Sequence, residues 1–225
     1  EDTLLRREVA LKFLPPELTD DDESSRRFMT EARATSSLDH DNICSVLQIS
    51  QGDEDEWFIA MRYYEGATLK KAMADGPLPP LRALVFAVKI ARGLNAAHEK
   101  GIVHRDIQPA NVVVTADDNI KILDFGLARL VHRSRQTRTG TVLGTAASMS
   151  PEQSRGEDVG PPSDIWALGV VLYEMLSGKL PFKGESEIAM IFSILNQDPE
   201  PLDIKDCKSA RNCARILERC LEKNP

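Results

Sequence analysis

Residues 104–126 constrain the fold of this chain more than any other stretch of its sequence. The apolar run Val112-Val113-Val114 and the segment Lys121-Ile122-Leu123 flank a polar turn at 116–119. Two short segments of this kind around such a turn are typical of a β-hairpin. Asp106 and Asn111 precede the hairpin, and Asp124 directly follows it.

These three polar side chains have the chemistry that phosphoryl transfer requires. Such a reaction needs one carboxylate beside the attacking hydroxyl, and further oxygen ligands for magnesium on the nucleotide phosphates. A lone Asp in a loop is more often a turn former or a cap. The set Arg105-Asp106, Asn111 and Asp124 outweighs that reading. We therefore expect Asp106 to receive or orient a hydroxyl proton, and Asn111 and Asp124 to ligate magnesium.

The chain before residue 66 predicts a small sheet with one helix. Val9 to Phe13 is typical of a strand, and the acidic residues from Asp20 onward favour the start of a helix through about Ser37. Further strands are expected at 43–49 and 57–61, joined by an acidic turn.

The chain after residue 66 is mostly helical in pattern. Leu84, Val88, Ala91, Leu94 and Ala97 fall at helical spacing before Gly101. Residues 127–162 show little periodicity, and a loop of that length is usually functional or disordered. Three more helices are expected, at 164–177, 185–196 and about 210–222, and in the second the buried stripe is expected to be Ile188, Ile191, Phe192 and Leu195.

The order and spacing of several motifs resemble a eukaryotic-type serine/threonine protein kinase domain of the bacterial kind. The motifs are Val9-Ala10-Leu11-Lys12, His104-Arg105-Asp106, Asp124-Phe125-Gly126, Gly144-Thr145, Ser150-Pro151-Glu152 and Asp164-Ile165-Trp166. The resemblance runs from Val9 to Pro225. It implies an α+β, two-lobed fold with an incomplete β-rich N-lobe at 1–64. The mainly helical C-lobe would be 65–225, with the activation segment at 124–152.

The resemblance also implies roles for individual residues, with ATP and Mg²⁺ as cofactors. Lys12 would pair with Glu31 and contact the nucleotide phosphates, and Asp106 would be the catalytic carboxylate. Met61 would be the gatekeeper and Tyr64 the hinge residue at the adenine. His104 is expected to be structural, and Asp164 to support the catalytic loop from below; the alternative role of Asp164 is a helix N-cap.

Three features depart from the family pattern. Gln108 stands where the family usually has a lysine, and losing one charged or hydrogen-bonding group beside the transferred phosphoryl costs on the order of 100- to 1000-fold in rate. Ser148 stands where an aromatic residue is common. No glycine-rich phosphate loop precedes Lys12, since the first glycine is Gly52. We interpret the sequence as a kinase domain truncated at both ends.

Three functions are compatible with these features. The first is an ATP- and magnesium-dependent serine/threonine kinase, attenuated by Gln108. The second is a pseudokinase acting as a nucleotide-binding or scaffold module. The third is a small-molecule phosphotransferase, against which the long segment ending in Ser-Pro-Glu argues, because it builds a peptide platform. Within that segment Thr139 or Thr141 is the expected phosphorylation site.

Composition limits the partners and the compartment. The net charge is -7 with a pI of about 5.2, and no basic stripe suggests nucleic acid. The four cysteines form no C-x-x-C pair, which favours reduced thiols and a cytoplasmic setting. The most apolar run, 165–176, is too short to span a bilayer. The expected partner is therefore a protein substrate bearing Ser or Thr, and the oligomeric state stays open.

Overall fold

The structure is a computed structural model that describes residues 2, 5–14, 22–52, 56–125, 146–202 and 208–224. Its first part is a three-stranded antiparallel sheet with strand order β1-β3-β2. The strands are β1 (Val9–Phe13), β2 (Val46–Gln51) and β3 (Trp57–Arg62). Helix α1 (Asp22–Ser36) packs on this sheet. The predicted strand at 57–61 and the predicted helix are confirmed, whereas the strand expected at 43–49 begins only at Val46.

The second part is mainly helical and carries a second small sheet. Its strands are β4 (Gly66–Thr68), β5 (Val112–Thr115) and β6 (Ile120–Ile122), and β5 and β6 form the predicted hairpin. A short 3-10 helix (Pro109–Asn111) precedes β5. The α-helices are α2 (Leu69–Ala72), α3 (Pro80–His98), α4 (Pro151–Arg155), α5 (Pro161–Ser177), α6 (Glu187–Asn196) and α7 (Lys208–Cys220). No helix among the described residues is both long and apolar enough to cross a membrane.

Helix α5 is the centre of the larger part. Twelve of its seventeen residues are buried, as expected for a helix that is apolar on nearly every side. It packs against α3 and α7 in one core. A neighbouring cluster joins α5 to α6 through Trp166, Phe182 and Ile194, with the two aromatic rings stacked at 5.6 Å.

The segment between α1 and β2 attaches the two parts to each other. Leu38 and Ile43 are buried in the core of the larger part. The backbone of β6 bonds to this segment on both sides, since Ile122 N donates to Asn42 O and Cys44 N donates to Ile122 O, each at 2.8 Å. Gly93 of α3 permits this approach, because a Cβ there would lie 2.8 Å from Ile122 Cδ1 and 3.3 Å from Asn42 O.

Two predicted apolar faces were wrong in detail. In α3 the buried residues are Ala83, Phe86, Ala87, Ile90, Gly93, Leu94 and Ala97, and Val88 is half exposed. In α6, Ile188 and Phe192 are 81% and 58% exposed, whereas Met190, Ser193 and Ile194 are buried. Several faces of α6 have apolar residues at helical spacing. The residues of α6 that are buried are those on the face that packs against the stacked Trp166 and Phe182.

Three further expectations need correction. Helix α5 begins at Pro161 and not at Asp164, and its N-cap is Gly160. Proline is tolerated in a first helical turn because the N–H it lacks would have no helical partner there. The stretch expected to be irregular up to 162 contains helix α4. Cys213 and Cys220 lie seven residues apart, a helical spacing that predicts that both face the core, but only Cys213 is buried and Cys220 is partly exposed.

Candidate active site

A fully buried carboxylate supports the loop that carries Asp106. Asp164 Oδ2 accepts hydrogen bonds from His104 N at 2.8 Å and from His98 Nε2 at 2.7 Å. Its Oδ1 accepts a bond from Arg105 N at 2.8 Å. Asp164 has no exposed surface, so three donors compensate for the burial of its charge. Its position under the loop agrees with the expected supporting role, and the N-cap alternative is wrong.

His104 is a structural residue of the same loop. Its Nδ1 accepts a bond from Asp106 N at 3.2 Å, and its Nε2 lies 2.7 Å from Leu123 O. A carbonyl can only accept, so Nε2 carries the proton and the imidazole is neutral. The buried ring also meets Phe125 edge-on, with ring centroids 4.6 Å apart. His104 thereby connects the loop that carries Asp106 to the residues that follow β6.

Two neutral amides bind the carboxylate of Asp106. Gln108 Nε2 lies 3.0 Å from Asp106 Oδ1 and 3.1 Å from Oδ2. Asn111 Nδ2 donates to Asp106 Oδ2 and to its backbone oxygen, both at 2.9 Å. The 3-10 turn brings the three side chains together, because Asn111 N donates to Gln108 O at 2.9 Å. Asp106 is thus oriented by hydrogen bonds, with no positive charge contributed by residue 108.

Asp124 pairs with Lys12 across the two parts of the fold. Lys12 Nζ lies 2.8 Å from Asp124 Oδ2. The backbone of Asp124 has a φ of 61°, which is uncommon for a residue other than glycine and often marks a functional constraint. Leu123 N, just before it, donates to Asn111 O at 2.8 Å, so the two expected metal ligands are held close in the fold. The side chain of Glu31 lies outside the described residues, and the Lys12–Glu31 pair stays a prediction.

Asn111 and Asp124 fit a magnesium ion by the chemistry of their oxygens. Asp124 Oδ1 is buried and has no hydrogen-bond partner within the described chain. Because Asn111 directs its Nδ2 at Asp106, its Oδ1 is the atom of that amide suited to a cation. In the described residues no three His, Cys, Asp or Glu side chains cluster as a metal cage. One or two protein oxygens completed by substrate phosphates is the usual arrangement for magnesium.

Met61 and Tyr64 are the two residues expected to contact the nucleotide base. Met61 is buried and lines a cavity with room for about one water (about 20 Å³), together with Thr35 and Phe125. The ring of Tyr64 is covered by two cations, Lys121 Nζ at 4.8 Å and the Arg62 guanidinium at 5.5 Å. Their roles as gatekeeper and hinge residue stay predictions.

Cys44 lines the same small cavity as Met61. Burial, and secondarily the negative charge of Asp124, raise the pKa of this thiol to about 11. The thiol is therefore protonated and a weak nucleophile at neutral pH.

The end of the segment that precedes α4 is described only in part. Ser148, which stands where the family commonly has an aromatic residue, is buried. Glu152 Oε1, in the Ser-Pro-Glu motif, accepts a 2.5 Å bond from Ser163 Oγ. Thr139, Thr141 and the Gly144-Thr145 motif lie outside the described residues.

Sequence reasoning missed two contributors to the loop, His98 and Gln153. Gln153 Nε2 donates to Arg105 O at 2.8 Å. The Ser-x-x-Gln pattern at 150–153 could have predicted the capping box that the structure shows, but not this second bond.

The two-part fold and this arrangement of side chains are those of a protein kinase domain, and similarity to known proteins leads to the same family. The chain belongs to the protein kinase family: the family model for the protein kinase domain matches residues 3–225.

Several bacterial serine/threonine kinases are similar to the chain over most or all of its length. It is 44% identical over 226 residues to the serine/threonine-protein kinase PrkC of Bacillus subtilis, covering all of this chain and 35% of that protein. It is 36% identical over 229 residues to PknB of Mycobacterium leprae, covering all of the chain and 37% of the relative. The probable PknB of Corynebacterium glutamicum is 39% identical over 206 residues, which is 89% of this chain and 32% of that protein. The chain therefore spans about a third of the length of these relatives.

Proposed function

We propose that the chain transfers the γ-phosphoryl group of ATP to a serine or threonine hydroxyl of a protein, at a rate lowered by Gln108. The observation that carries the proposal is the joint placement of Asp106, Asn111 and the Lys12–Asp124 pair. These are the groups that such a reaction needs, in a family whose named relatives are serine/threonine kinases.

Each of these residues has a defined task in the proposed reaction. The carboxylate of Asp106 accepts the proton of the incoming hydroxyl or orients it for in-line attack. Asn111 and Asp124 would hold magnesium, which neutralises developing charge on the phosphates when bound. Lys12 binds the α- and β-phosphates of the nucleotide, so that the nucleotide competes with Asp124 for its ammonium group. The Lys12–Glu31 pair, the Met61 gatekeeper and adenine binding along the Tyr64 backbone belong to the same proposal.

Gln108 determines the rate in this proposal. Its amide orients the Asp106 carboxylate through both oxygens, so the geometry at the base is preserved. A neutral amide supplies no positive charge to the transferred phosphoryl group, and electrostatic stabilisation is usually the largest catalytic contribution. We therefore expect slow but measurable transfer.

A second candidate is a pseudokinase that binds nucleotide or a partner without transfer. The observation that favours it is the same uncharged contact of Gln108 on Asp106. The intact set Asp106, Asn111 and Asp124 supports the kinase instead, because kinase domains that have become inactive have commonly lost a metal-binding residue.

A phosphoryl-transfer assay on the full-length protein separates the two candidates. Transfer from ATP to the protein itself and to a generic basic protein is compared for the parent, Gln108→Lys and Asp124→Asn. Slow parental transfer that Asp124→Asn abolishes, and that Gln108→Lys raises by about 100-fold, supports the attenuated kinase. No transfer by the parent, with clear transfer after Gln108→Lys, supports the pseudokinase.

The remaining proposals concern the surroundings of the domain. We take its partner to be a protein substrate, and its compartment to be the cytoplasm, in line with the free thiols of Cys44, Cys213 and Cys220. The lobe boundary at residues 64 and 65 falls between β3 and β4.

A further inference from the structure

The side chain of Gln153 connects two segments that are 48 residues apart in sequence. Its Oε1 accepts a bond from Ser150 N at 2.9 Å, and its backbone N donates to Ser150 Oγ at 3.3 Å. These bonds form the capping box at the start of α4. Its Nε2 is directed the other way and donates to Arg105 O at 2.8 Å. One amide group thus serves both the helix cap and the catalytic loop.

The bond to Arg105 O acts on the peptide group that leads into Asp106. Arg105 has a φ of 71°, a left-handed conformation that a residue with a side chain adopts only when its surroundings enforce it. Asp164 Oδ1 holds the nitrogen of Arg105 and Gln153 Nε2 holds its oxygen. Asp106 N, in the same peptide plane as Arg105 O, is bound to His104 Nδ1.

The Arg105–Asp106 peptide plane is therefore fixed at both of its polar atoms. Gln153 fixes the oxygen and His104 fixes the nitrogen. The plane determines the direction in which the Asp106 side chain leaves the backbone. A peptide plane bound at only one polar atom is freer to rotate about the axis through its two Cα atoms, and small displacements of a catalytic group reduce rates strongly.

We propose that Gln153 is a positioning residue that aligns Asp106 with the peptide-binding side of the domain. Helix α4 begins inside the end of the 124–152 segment, which the sequence resemblance assigns to peptide binding, and Gln153 bonds from that helix to the loop that carries Asp106. Gln153 does not touch substrate, ATP or the transferred phosphoryl group in this proposal. The expected loss of kcat rests on the proposed function, whereas the expected effect of Gln153 on the order of the loop does not.

Gln153→Glu separates the two tasks of the side chain. A glutamate at this position of a capping box accepts the Ser150 N–H as glutamine does, and its charge is favourable at a helix N-terminus. It has no N–H to donate to Arg105 O and places a carboxylate oxygen against that carbonyl. The cap is retained while the bond to the loop is lost. Ser186→Ala is the matched control, because it removes a comparable N-cap bond to Ala189 N at the start of α6.

The test measures kcat, the KM for ATP and the melting temperature of the full-length parent, Gln153→Glu and Ser186→Ala. We expect Gln153→Glu to lower kcat at least tenfold, with the KM for ATP within twofold of the parent and Tm no lower than in Ser186→Ala. We expect Ser186→Ala to keep kcat within twofold. A kcat within twofold of the parent in Gln153→Glu would overturn the proposal, as would an equal loss of kcat in the two variants.

Amide hydrogen exchange gives a second readout that does not depend on catalysis. We expect faster exchange in peptides covering residues 104–108 of Gln153→Glu, and unchanged exchange in the β5–β6 hairpin. Gln153→Met, which loses both side-chain bonds, should show the same acceleration. If the parent transfers no phosphate, the proposed function fails and exchange alone decides. Unchanged exchange at 104–108 in both variants would then overturn the role of Gln153.

Discussion

Replacing Asp164 with asparagine tests whether one buried carboxylate supports the catalytic loop. The carboxylate accepts two bonds at Oδ2 and one at Oδ1. Asparagine offers a single oxygen, and its best orientation keeps that oxygen where two donors converge. Its Nδ2 then faces Arg105 N, so two N–H groups oppose each other in a site with no access to water.

The expected loss of stability follows from those contacts. A hydrogen bond to a charged group contributes about 1.5–3 kcal/mol net, and a buried donor without a partner costs a further 1–3 kcal/mol or so. We therefore expect Asp164→Asn to lower the free energy of unfolding by about 3–5 kcal/mol. For a chain of this length each kcal/mol lowers Tm by about 2–4 °C, which predicts a decrease of roughly 10 °C.

Scanning calorimetry and urea unfolding measure this decrease. His98→Ala is the matched control, since it removes one donor and leaves the carboxylate bound to both backbone N–H groups, and about half the loss is expected. A Tm for Asp164→Asn within about 2 °C of the parent would refute the reasoning, because a buried donor without a partner should lower the free energy of unfolding by more than that.

Two further predictions concern burial. The pKa of Cys44, raised from 9.0 to about 11, lowers its thiolate fraction at pH 8.5, so native protein should react with iodoacetamide about 100-fold more slowly at this residue than urea-unfolded protein. Equal rates by peptide mass spectrometry would contradict the burial of the thiol. In α6, Ile188→Ser should change the unfolding free energy by less than about 0.5 kcal/mol, whereas Ile194→Ser should cost about 3 kcal/mol or more. Urea unfolding checks the pair, and a reversed order would restore the apolar face that the sequence predicted.

The elements that sequence predicted well are those whose local pattern allows one solution. The β5–β6 hairpin has two short strands around a polar turn, and Thr115 N donates to Asn119 O at 2.9 Å to close it. Helix α6 is different, because apolar residues occur on every side of it. Several faces then satisfy a helical period, and only the position of the Trp166–Phe182 pair selects Met190 and Ile194.

In the candidate site, the sequence indicated individual residues but not the contacts between them. The motifs singled out Asp106, Asn111 and Asp124, to which we assign the chemistry, because these residue types are chemically distinctive at their spacing. They could not predict that Lys12 contacts Asp124 or that Gln153 contacts Arg105, because each pair is distant in sequence and depends on how the elements pack. A spacing rule contains no information on such tertiary contacts.

The contact between Gln108 and Asp106 predicts a pH effect for Gln108→Glu. The substitution preserves shape but replaces the donor Nε2, which lies 3.0 and 3.1 Å from the two Asp106 oxygens, with a second carboxylate oxygen. Two carboxylates at that separation cannot both be ionised easily, so one of them keeps its proton to a higher pH. If Asp106 acts as the proposed catalytic carboxylate, activity that is lost as the pH falls should therefore be lost at a higher pH than in the parent.

Gln108→Met distinguishes lost hydrogen bonds from added charge. Methionine has a similar length but neither donates a strong hydrogen bond nor titrates, so we expect kcat to fall while the acid limb of kcat/KM stays within about half a pH unit of the parent. The profile of Gln108→Glu should be displaced by about one unit or more. Coincident acid limbs in the two variants would mean that residue 108 does not face the carboxylate of Asp106 during turnover. The proposed role of Gln108 in orienting the Asp106 carboxylate would then have to be abandoned.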